Sequence, residues 1–542
     1  LATGLAATFT VVWMLHALNS DRSVGWALDA VAYHVAFPLD ETFAVINGLT
    51  PLADFTAQYG SLWPLVAALP LLAFGKTLLA FTIVMATITT LALLGVFDIL
   101  RRVTRSSLAA LLLFLPFVAT SLFFVRGTML NRLTFGSYFG MFPLRFAGPL
   151  MLAWLTARRL DRRSATPAWP LFLASGLVVL NNADFGFAAL AATLAAALWT
   201  MPDRNGRALL RLGRDVALGL AGALAAVSAI TLIRAGTLPQ LDRLVEYGRI
   251  FALGRYNSIA IPSVIGIPLV VYATYVAAIG TATVRALRGA GNRTLTGMLV
   301  WTGVFGLGAA DYYVVRAHPD TLPSTFPAWA LALALLSVVA LRRIATAPLR
   351  TNVPSIAALF GLGLAVCSIA QTPAPWSQLQ RVAAKPSEPA TILNLETPYL
   401  PPSEPEVRRF IRSVPEAHGR FVVREGAAVA LFATTGHRTA DALGVVDVVP
   451  YTGYDSIATV EQLEGSLDAL RAAHGTTALV PLQVPPAFLR VLSRRGFEVL
   501  TSAGLRPWRP TKDHPGIPEA AVQVPHLLGS ISKWVYVGRT RP

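Results

Sequence analysis

The chain has 542 residues, of which 54% are hydrophobic and only 14% charged, with a formal net charge of +16. A mean hydropathy of +0.56 excludes an ordinary soluble enzyme and points to many membrane spans. The positive charge does not signal nucleic acid: Lys and Arg sit in short loops between apolar runs, and no basic patch is interleaved with aromatic residues. The one cysteine, Cys367, lies in an apolar run, so an intrachain disulfide and a thiolate metal cluster are both excluded.

In chain order, residues 2–18 form the first apolar segment. It lacks a basic leader and a small-residue cleavage site, so it reads as a retained span. Further spans are expected at 77–98, 107–125, 140–157, 168–182, 184–201, 215–233, 261–282, 294–311, 325–342 and 353–371. Between them lie basic loops at Arg101-Arg102-Arg105, Arg158 to Arg163, Arg204 to Arg214, Arg285 to Arg293, and Arg342-Arg343-Arg350. Placing all of these in the cytoplasm gives a consistent topology of about eleven helices, N-terminus in and C-terminal region out. Residues 61–76 are apolar, but short and interrupted by Pro64 and Pro70. A crossing there would put every later basic loop outside, so this piece reads as a re-entrant or interfacial helix.

The expected fold class is mainly α: a polytopic membrane helical bundle over 1–371, with a first outer loop at 19–76, followed by a linker at 372–384. Residues 385–542 differ in kind. ATILNL, RFVVRE, AVALFA, TALVPL and FEVLTS read as strands, and EPEVRRFIRSV, TVEQLEGSLDALRAAHG and PPAFLRVLSRRG as helices. Their alternation predicts a small extracytoplasmic α/β domain. It carries no P-loop, no GxGxxG and no nucleophile elbow.

With that topology the polar residues of the membrane half gather at outer helix ends. The second outer loop holds Arg126, Asn131 and Arg132, and Arg145 follows Pro143 in an apolar setting. The third is the tight turn Asn181-Asn182-Ala183-Asp184. The fourth, LDRLVEYGRIFALG from Leu241, suits an interfacial helix with Glu246 and Arg249 on its polar face. The fifth carries Asp311, Tyr312, Tyr313, Arg316 and His318. The first has three carboxylates, Asp40, Glu41 and Asp54, among apolar residues. Acidic side chains beside a bilayer are costly and face a cavity, a partner or water.

Asp40-Glu41, Ala44, Gly48, Pro51, Asp54-Phe55, Tyr59-Gly60 and Pro64 occur in that order after the first span. This stretch resembles the first outer loop of the GT-C superfamily, the polytopic membrane glycosyltransferases that use polyprenyl-phosphate sugars. Beyond the loop the resemblance is architectural, and it does not reach the last third of the chain. It implies transfer of a sugar from a polyprenyl-phosphate donor to a cell-envelope glycan or glycolipid on the outer face of the plasma membrane, with inversion. The high Ala, Arg and Leu content suits a high-GC bacterium and so a polyprenyl carrier.

That chemistry needs a carboxylate to accept the proton of the attacking hydroxyl. Asp40 or Glu41 is placed for it; the two point to different faces of any regular element, so one of them acts, and Asp40 is preferred. The departing lipid phosphate calls for cations, for which the arginine fork is suited. Arg316 and His318 come first, with Arg145, Arg132 and Arg126 behind them. Asp54, Tyr59 and Asp311 are candidates for the acceptor or a metal.

Each assignment has a structural alternative. Asp54 could close an Asx-turn after Pro51, Arg145 could snorkel to the headgroups, and Asn182 and Asp184 suit helix caps. Asp40, Glu41 and Asp54 offer hard oxygen ligands that suit Mg2+ or Mn2+, and a requirement for either stays open. Two other functions fit the composition: a lipid-linked-glycan transporter or flippase, and an inactive transferase-like assembly protein. The flippase calls for ionisable residues and broken helices at mid-depth, whereas here polar residues sit at helix ends.

Overall fold

The computed structural model describes much of residues 38–74 and then 78–122, 142–162, 167–201, 205–245, 265–289, 292–315, 317, 321–322 and 325–344; beyond these it describes chiefly four strands. The expected spans 2–18 and 353–371, the linker and most of the C-terminal region lie outside the described residues.

The membrane half is built from α1 (Trp63–Phe74), α2 (Leu78–Thr104), α3 (Ser107–Leu122), a π-turn (Phe142–Phe146) running into α4 (Ala147–Arg162), α5 (Trp169–Asn181), α6 (Ala183–Trp199), α7 (Gly206–Ala235), a 3-10 turn (Leu241–Leu244), α8 (Ile267–Leu287), α9 (Arg293–Ala309), the short α10 (Asp311–Val315) and α11 (Phe326–Ile344). Among the described residues, four helices are long and apolar enough to cross a membrane, in α2, α7, α8 and α11. The chain is a multi-pass membrane protein.

At the centre is α9. It packs against α6, α8, α11 and α4, and nearly all its residues from Thr294 to Ala309 are buried. A helix that is apolar all round belongs inside a bundle. Its glycines allow the close approach: a Cβ on Gly308 would lie 2.6 Å from that of Ala188, and one on Gly303 2.7 Å from the Tyr275 carbonyl. Tryptophans tie neighbouring helices through threonine hydroxyls. Trp301 Nε1 donates to Thr193 Oγ1 at 3.0 Å, Trp329 Nε1 to Thr274 Oγ1 at 3.1 Å, and Trp199 Nε1 to Thr283 Oγ1 at 3.0 Å.

The outer helices are one-sided in burial without being one-sided in polarity. In α7 the buried stripe is Asp215, Gly219, Ala223, Val227 and Thr231, at four-residue spacing. Leu210, Leu218, Leu232 and Ile233 face outward, as lipid contact requires. In α1 the same holds. Trp63, Ala67, Ala68 and Leu71 are buried, while Val66, Leu69, Leu72 and Phe74 are exposed, which suits an apolar surrounding.

The basic loops meet at one end of the bundle. Arg102 bridges Asp98 at 2.7 Å and Asp161, at the end of α4, at 2.6 Å. Arg159 donates to the Pro167 carbonyl at 3.1 Å, and Asp215 of α7 accepts from the Ala168 amide at 2.6 Å. Arg293 donates to the Thr200 carbonyl at 2.6 Å, and Arg342 to the Val103 carbonyl at 2.8 Å.

Expectations change at the start of α7 and at Asp311 to Val315, which form the short α10 and not a loop. The helix expected at 215–233 is α7 from Gly206, so Arg207, Arg211 and Arg214 lie in its first turns and not in a loop. Asn205 caps it, accepting from the Ala208 amide at 2.9 Å, and arginine is a good helix former, so the helix outruns its apolar stretch. The segment from Leu241, expected as an interfacial helix, is described only to Val245 and opens with a 3-10 turn at Leu241–Leu244; Glu246 and Arg249 lie outside the described residues.

The described strands are β1 (Phe421–Val423), β2 (Thr477–Pro481), β3 (Phe497–Ala503) and β4 (Trp534–Arg539), in the order β1-β2-β4-β3. β1 and β2 are parallel; β4 is antiparallel to both β2 and β3. RFVVRE, TALVPL and FEVLTS thus form strands. ATILNL and AVALFA lie outside the described residues. β4 was not expected, although its Trp-Val-Tyr-Val run is strand-rich.

Candidate functional site

At the end of the bundle away from the arginine loops, the loop that precedes α1 folds back onto the α5–α6 junction. The loop's pattern of residue types has physical reasons. Gly48 has φ +100, a conformation a side chain disfavours. Pro51 is buried. The Asp54 carboxylate accepts from the Thr50 amide at 2.7 Å while the Asp54 amide donates to the Thr50 carbonyl at 2.8 Å. Pro64 sits in the first turn of α1, where a missing amide proton costs nothing. Leu52 has φ +66, which disfavours an L-residue by about 1–2 kcal/mol. Its side chain is only 1% exposed, against Leu180, Ala223 and Val227, and full burial of a leucine contributes about 1.5–3 kcal/mol. Burial therefore offsets the strain. Two further ties hold the loop: the Gln240 amide donates to the Leu52 carbonyl at 2.7 Å and Arg234 Nη2 to the Val45 carbonyl at 2.9 Å.

Asn181 and Asn182 form the junction itself. Asn181 Oδ1 accepts from the Leu62 and Trp63 amides at 3.2 and 3.1 Å, and its carbonyl accepts from the Ser61 amide at 2.6 Å. Asn181 thus caps α1 from a distant part of the chain. Its Nδ2 reaches the Leu144 carbonyl, in the π-turn, at 3.5 Å. Asn182 caps α6, its Oδ1 accepting from the Phe185 amide at 3.0 Å, while Nδ2 donates to the Tyr59 carbonyl at 3.0 Å. A Cβ at Gly60 would lie 2.8 Å from Asn181 Oδ1, so the glycine is a steric requirement.

Beside this junction stands Arg145. Pro149 has no amide proton to donate to the Arg145 carbonyl, so the regular helical ladder is interrupted here and the chain runs as a π-turn. The side chain does not snorkel; it is 8% exposed. Its guanidinium carbon lies 4.7 Å from the Tyr312 ring centroid, 4.9 Å from that of Tyr59 and 5.8 Å from that of Phe185. Such contacts contribute roughly 0.5–2 kcal/mol each, most where water is excluded. Asp184, in the first turn of α6, senses the charges of both Arg145 and Asp311. Asp311 directly precedes Tyr312, one of the rings on the Arg145 guanidinium. The Tyr272 hydroxyl donates to the Ala310 carbonyl at 3.2 Å, fixing the turn before Asp311.

Of the candidates read from sequence, the structure brings together Tyr59 and Arg145, and Asp311 adjoins the Tyr312 ring in sequence. Glu41 is buried, at 1% exposure, in a helical stretch with Thr42, Val45 and Ile46. Asp54 is exposed and engaged with Thr50. Asp40, Arg126, Arg132, Arg316 and His318 lie outside the described residues. Phe185 and the clasp role of Asn181 were missed; the Asn-Asn pair between two apolar runs was the available signal. Two buried polar atoms of the loop, Thr50 Oγ1 and Trp63 Nε1, have no hydrogen-bond partner among the described residues, and a polar ligand would satisfy them. Among the described residues no group of three or more His, Cys, Asp or Glu could hold a metal ion.

No protein-family model matches the chain, and no curated protein matches it. Among solved structures, it is similar to the crystal structure of ArnT from Cupriavidus metallidurans bound to undecaprenyl phosphate, with 13% identity, 99% of this chain and 98% of that chain covered, and a TM-score of 0.46.

Proposed function

We propose that this protein is an integral membrane glycosyltransferase of GT-C type. It takes a sugar from a polyprenyl-phosphate donor to a cell-envelope glycan or glycolipid acceptor on the outer face. The observation that supports this best is the buried Arg145, stacked on Tyr59 of the acidic first loop and on Tyr312, the neighbour of Asp311. A cation of that kind suits a lipid phosphate entering from the bilayer, because the guanidinium binds oxygens along its edge while rings engage its faces.

In this reading Asp40 or Glu41 takes the proton of the acceptor hydroxyl as its oxygen attacks the anomeric carbon. The bond from that carbon to the phosphate oxygen breaks, and polyprenyl phosphate leaves with the electron pair, held by Arg145 together with Arg316, His318, Arg132 and Arg126. One displacement inverts the anomeric centre. Asp54 and Asp311 are assigned to the acceptor or a divalent cation, and Tyr59 to orienting Arg145. The basic end would face the cytoplasm. The strand-bearing C-terminal region, 385–542, would be an extracytoplasmic accessory domain after the 372–384 linker.

The test is sugar transfer by purified protein in nanodiscs, with a panel of polyprenyl-phosphate sugars and an envelope-glycan acceptor, read by mass spectrometry of acceptor and released polyprenyl phosphate. Stoichiometric appearance of both products supports the reading. Movement of labelled lipid-linked sugar across proteoliposomes without transfer would replace it with the flippase.

A further inference from the structure

We infer that the Asn181–Asn182 pair is the positioning element of the site, setting the first outer loop against Arg145. The inference rests on the transferase reading for its consequence, but not for its geometry. Three segments far apart in sequence meet at these two side chains. The loop from Tyr59 to Trp63 is held by four hydrogen bonds: Ser61 N to the Asn181 carbonyl at 2.6 Å, Leu62 N and Trp63 N to Asn181 Oδ1 at 3.2 and 3.1 Å, and Asn182 Nδ2 to the Tyr59 carbonyl at 3.0 Å. The π-turn is reached through Leu144, next to Arg145. The start of α6 is capped by Asn182, and it carries Phe185 and Asp184. Tyr59, whose carbonyl Asn182 holds, is itself a ring against the Arg145 guanidinium.

The chemistry of asparagine explains why this pair suits the task. Each carboxamide accepts and donates at once, so one side chain can cap a helix and hold a second backbone segment. Asp at either position would keep the acceptor and lose the donor. Neither residue touches the reacting atoms. They act by fixing Tyr59 and the start of α1 relative to the cation, and a shift of about 1 Å in such an arrangement can cost on the order of 100-fold in rate.

This gives a separable test. Asn182→Asp keeps an oxygen for the Phe185 amide, because Asp caps a helix as well as Asn does, but it removes the donor to Tyr59. Asn182→Ala removes both. Hydrogen exchange of the peptide spanning Tyr59 to Leu65 is followed together with the apparent thermal midpoint, kcat and the donor KM. The expected result for Asn182→Asp is a modest fall in midpoint, faster exchange in that peptide, and a kcat lowered about 10–100-fold with donor KM within about twofold. Asn182→Ala should add the loss of the α6 cap, read as faster exchange at the Phe185 amide. Unchanged exchange in Asn182→Asp would overturn the clasp. Faster exchange with a wild-type kcat would overturn its positioning role. A wild type that turns over no donor contradicts the transferase reading and so the catalytic consequence; the exchange comparison still decides the clasp by itself.

Discussion

Gly60→Ala tests the junction by steric means alone. The new Cβ would lie 2.8 Å from Asn181 Oδ1, 2.9 Å from Nδ2 and 3.1 Å from Cγ, against the roughly 3.5–4.0 Å at which carbon contacts are comfortable. The carboxamide must therefore retreat by about 0.5 Å or more. Its bonds to the Leu62 and Trp63 amides start at 3.2 and 3.1 Å and would then exceed the useful hydrogen-bond range. Each bond contributes about 1 kcal/mol net, and more if the amide is left without an acceptor, so the substitution should cost about 2–3 kcal/mol. Asn181→Ala deletes the same two bonds and should cost a similar amount. In the double variant nothing remains for the added methyl to strike, so the second change adds little and the coupling energy is about 2 kcal/mol. The assay is the apparent thermal midpoint of all four proteins in one detergent, with hydrogen exchange at Tyr59 to Leu65 as a local readout. Additive losses, or a Gly60→Ala protein with wild-type midpoint and exchange, would refute the steric coupling.

Three further outcomes are expected. Arg145→Lys keeps the charge but loses the planar stack and the fork, so binding of polyprenyl phosphate by native mass spectrometry should weaken by about 10-fold or more; unchanged binding would remove Arg145 from the phosphate site. Gly186→Ala would put a Cβ 2.7 Å from the Val178 carbonyl and 2.8 Å from the Val179 amide. Backbone cannot yield as a side chain can, so a loss above about 2 kcal/mol and a broadened size-exclusion peak are expected; a wild-type midpoint would contradict the close α5–α6 packing. Asp98→Asn weakens an acceptor that serves Arg101 at 2.6 Å, Arg102 at 2.7 Å and Trp154 at 2.9 Å. It should cost about 2 kcal/mol in stability and leave sugar transfer unchanged, since it lies at the basic end; a matching fall in kcat would contradict that separation of the two ends.

The helical half was legible where physics is local. Apolar runs located the helices Trp169–Asn181, Ala183–Trp199, Arg293–Ala309 and Phe326–Ile344 to within two residues, and missed an end by five or more at Leu78–Thr104, Ala147–Arg162, Gly206–Ala235 and Ile267–Leu287; clustered arginines anticipated that the basic loops share one end. Asn182 was readable as a cap because it directly precedes an apolar run. Misreadings arose where composition and conformation part company: Arg207, Arg211 and Arg214 look like a loop but extend α7, and Asp311 to Val315 look like a loop but form a short helix. The cage around Arg145 was not legible, since its rings come from positions 59, 185 and 312 and no local pattern links them. Tyr312 by itself reads as an aromatic belt residue. Asn181 caps a helix whose first residues lie 118 and 119 positions away, so only the fold reveals that task. Conversely, the ordered residue types of the first loop were visible at once, and the structure supplies their reasons at Gly48, Asp54, Gly60 and Pro64.

The most direct measurement is single-turnover sugar transfer by wild type, Asp40→Asn and Glu41→Gln, using whichever polyprenyl-phosphate sugar the wild type accepts, with donor binding measured in parallel. Transfer lowered by about 100-fold or more in one variant, with donor binding and thermal midpoint retained, is the predicted result and identifies the base. Transfer at the wild-type rate in both variants would contradict a catalytic acid pair in the first outer loop.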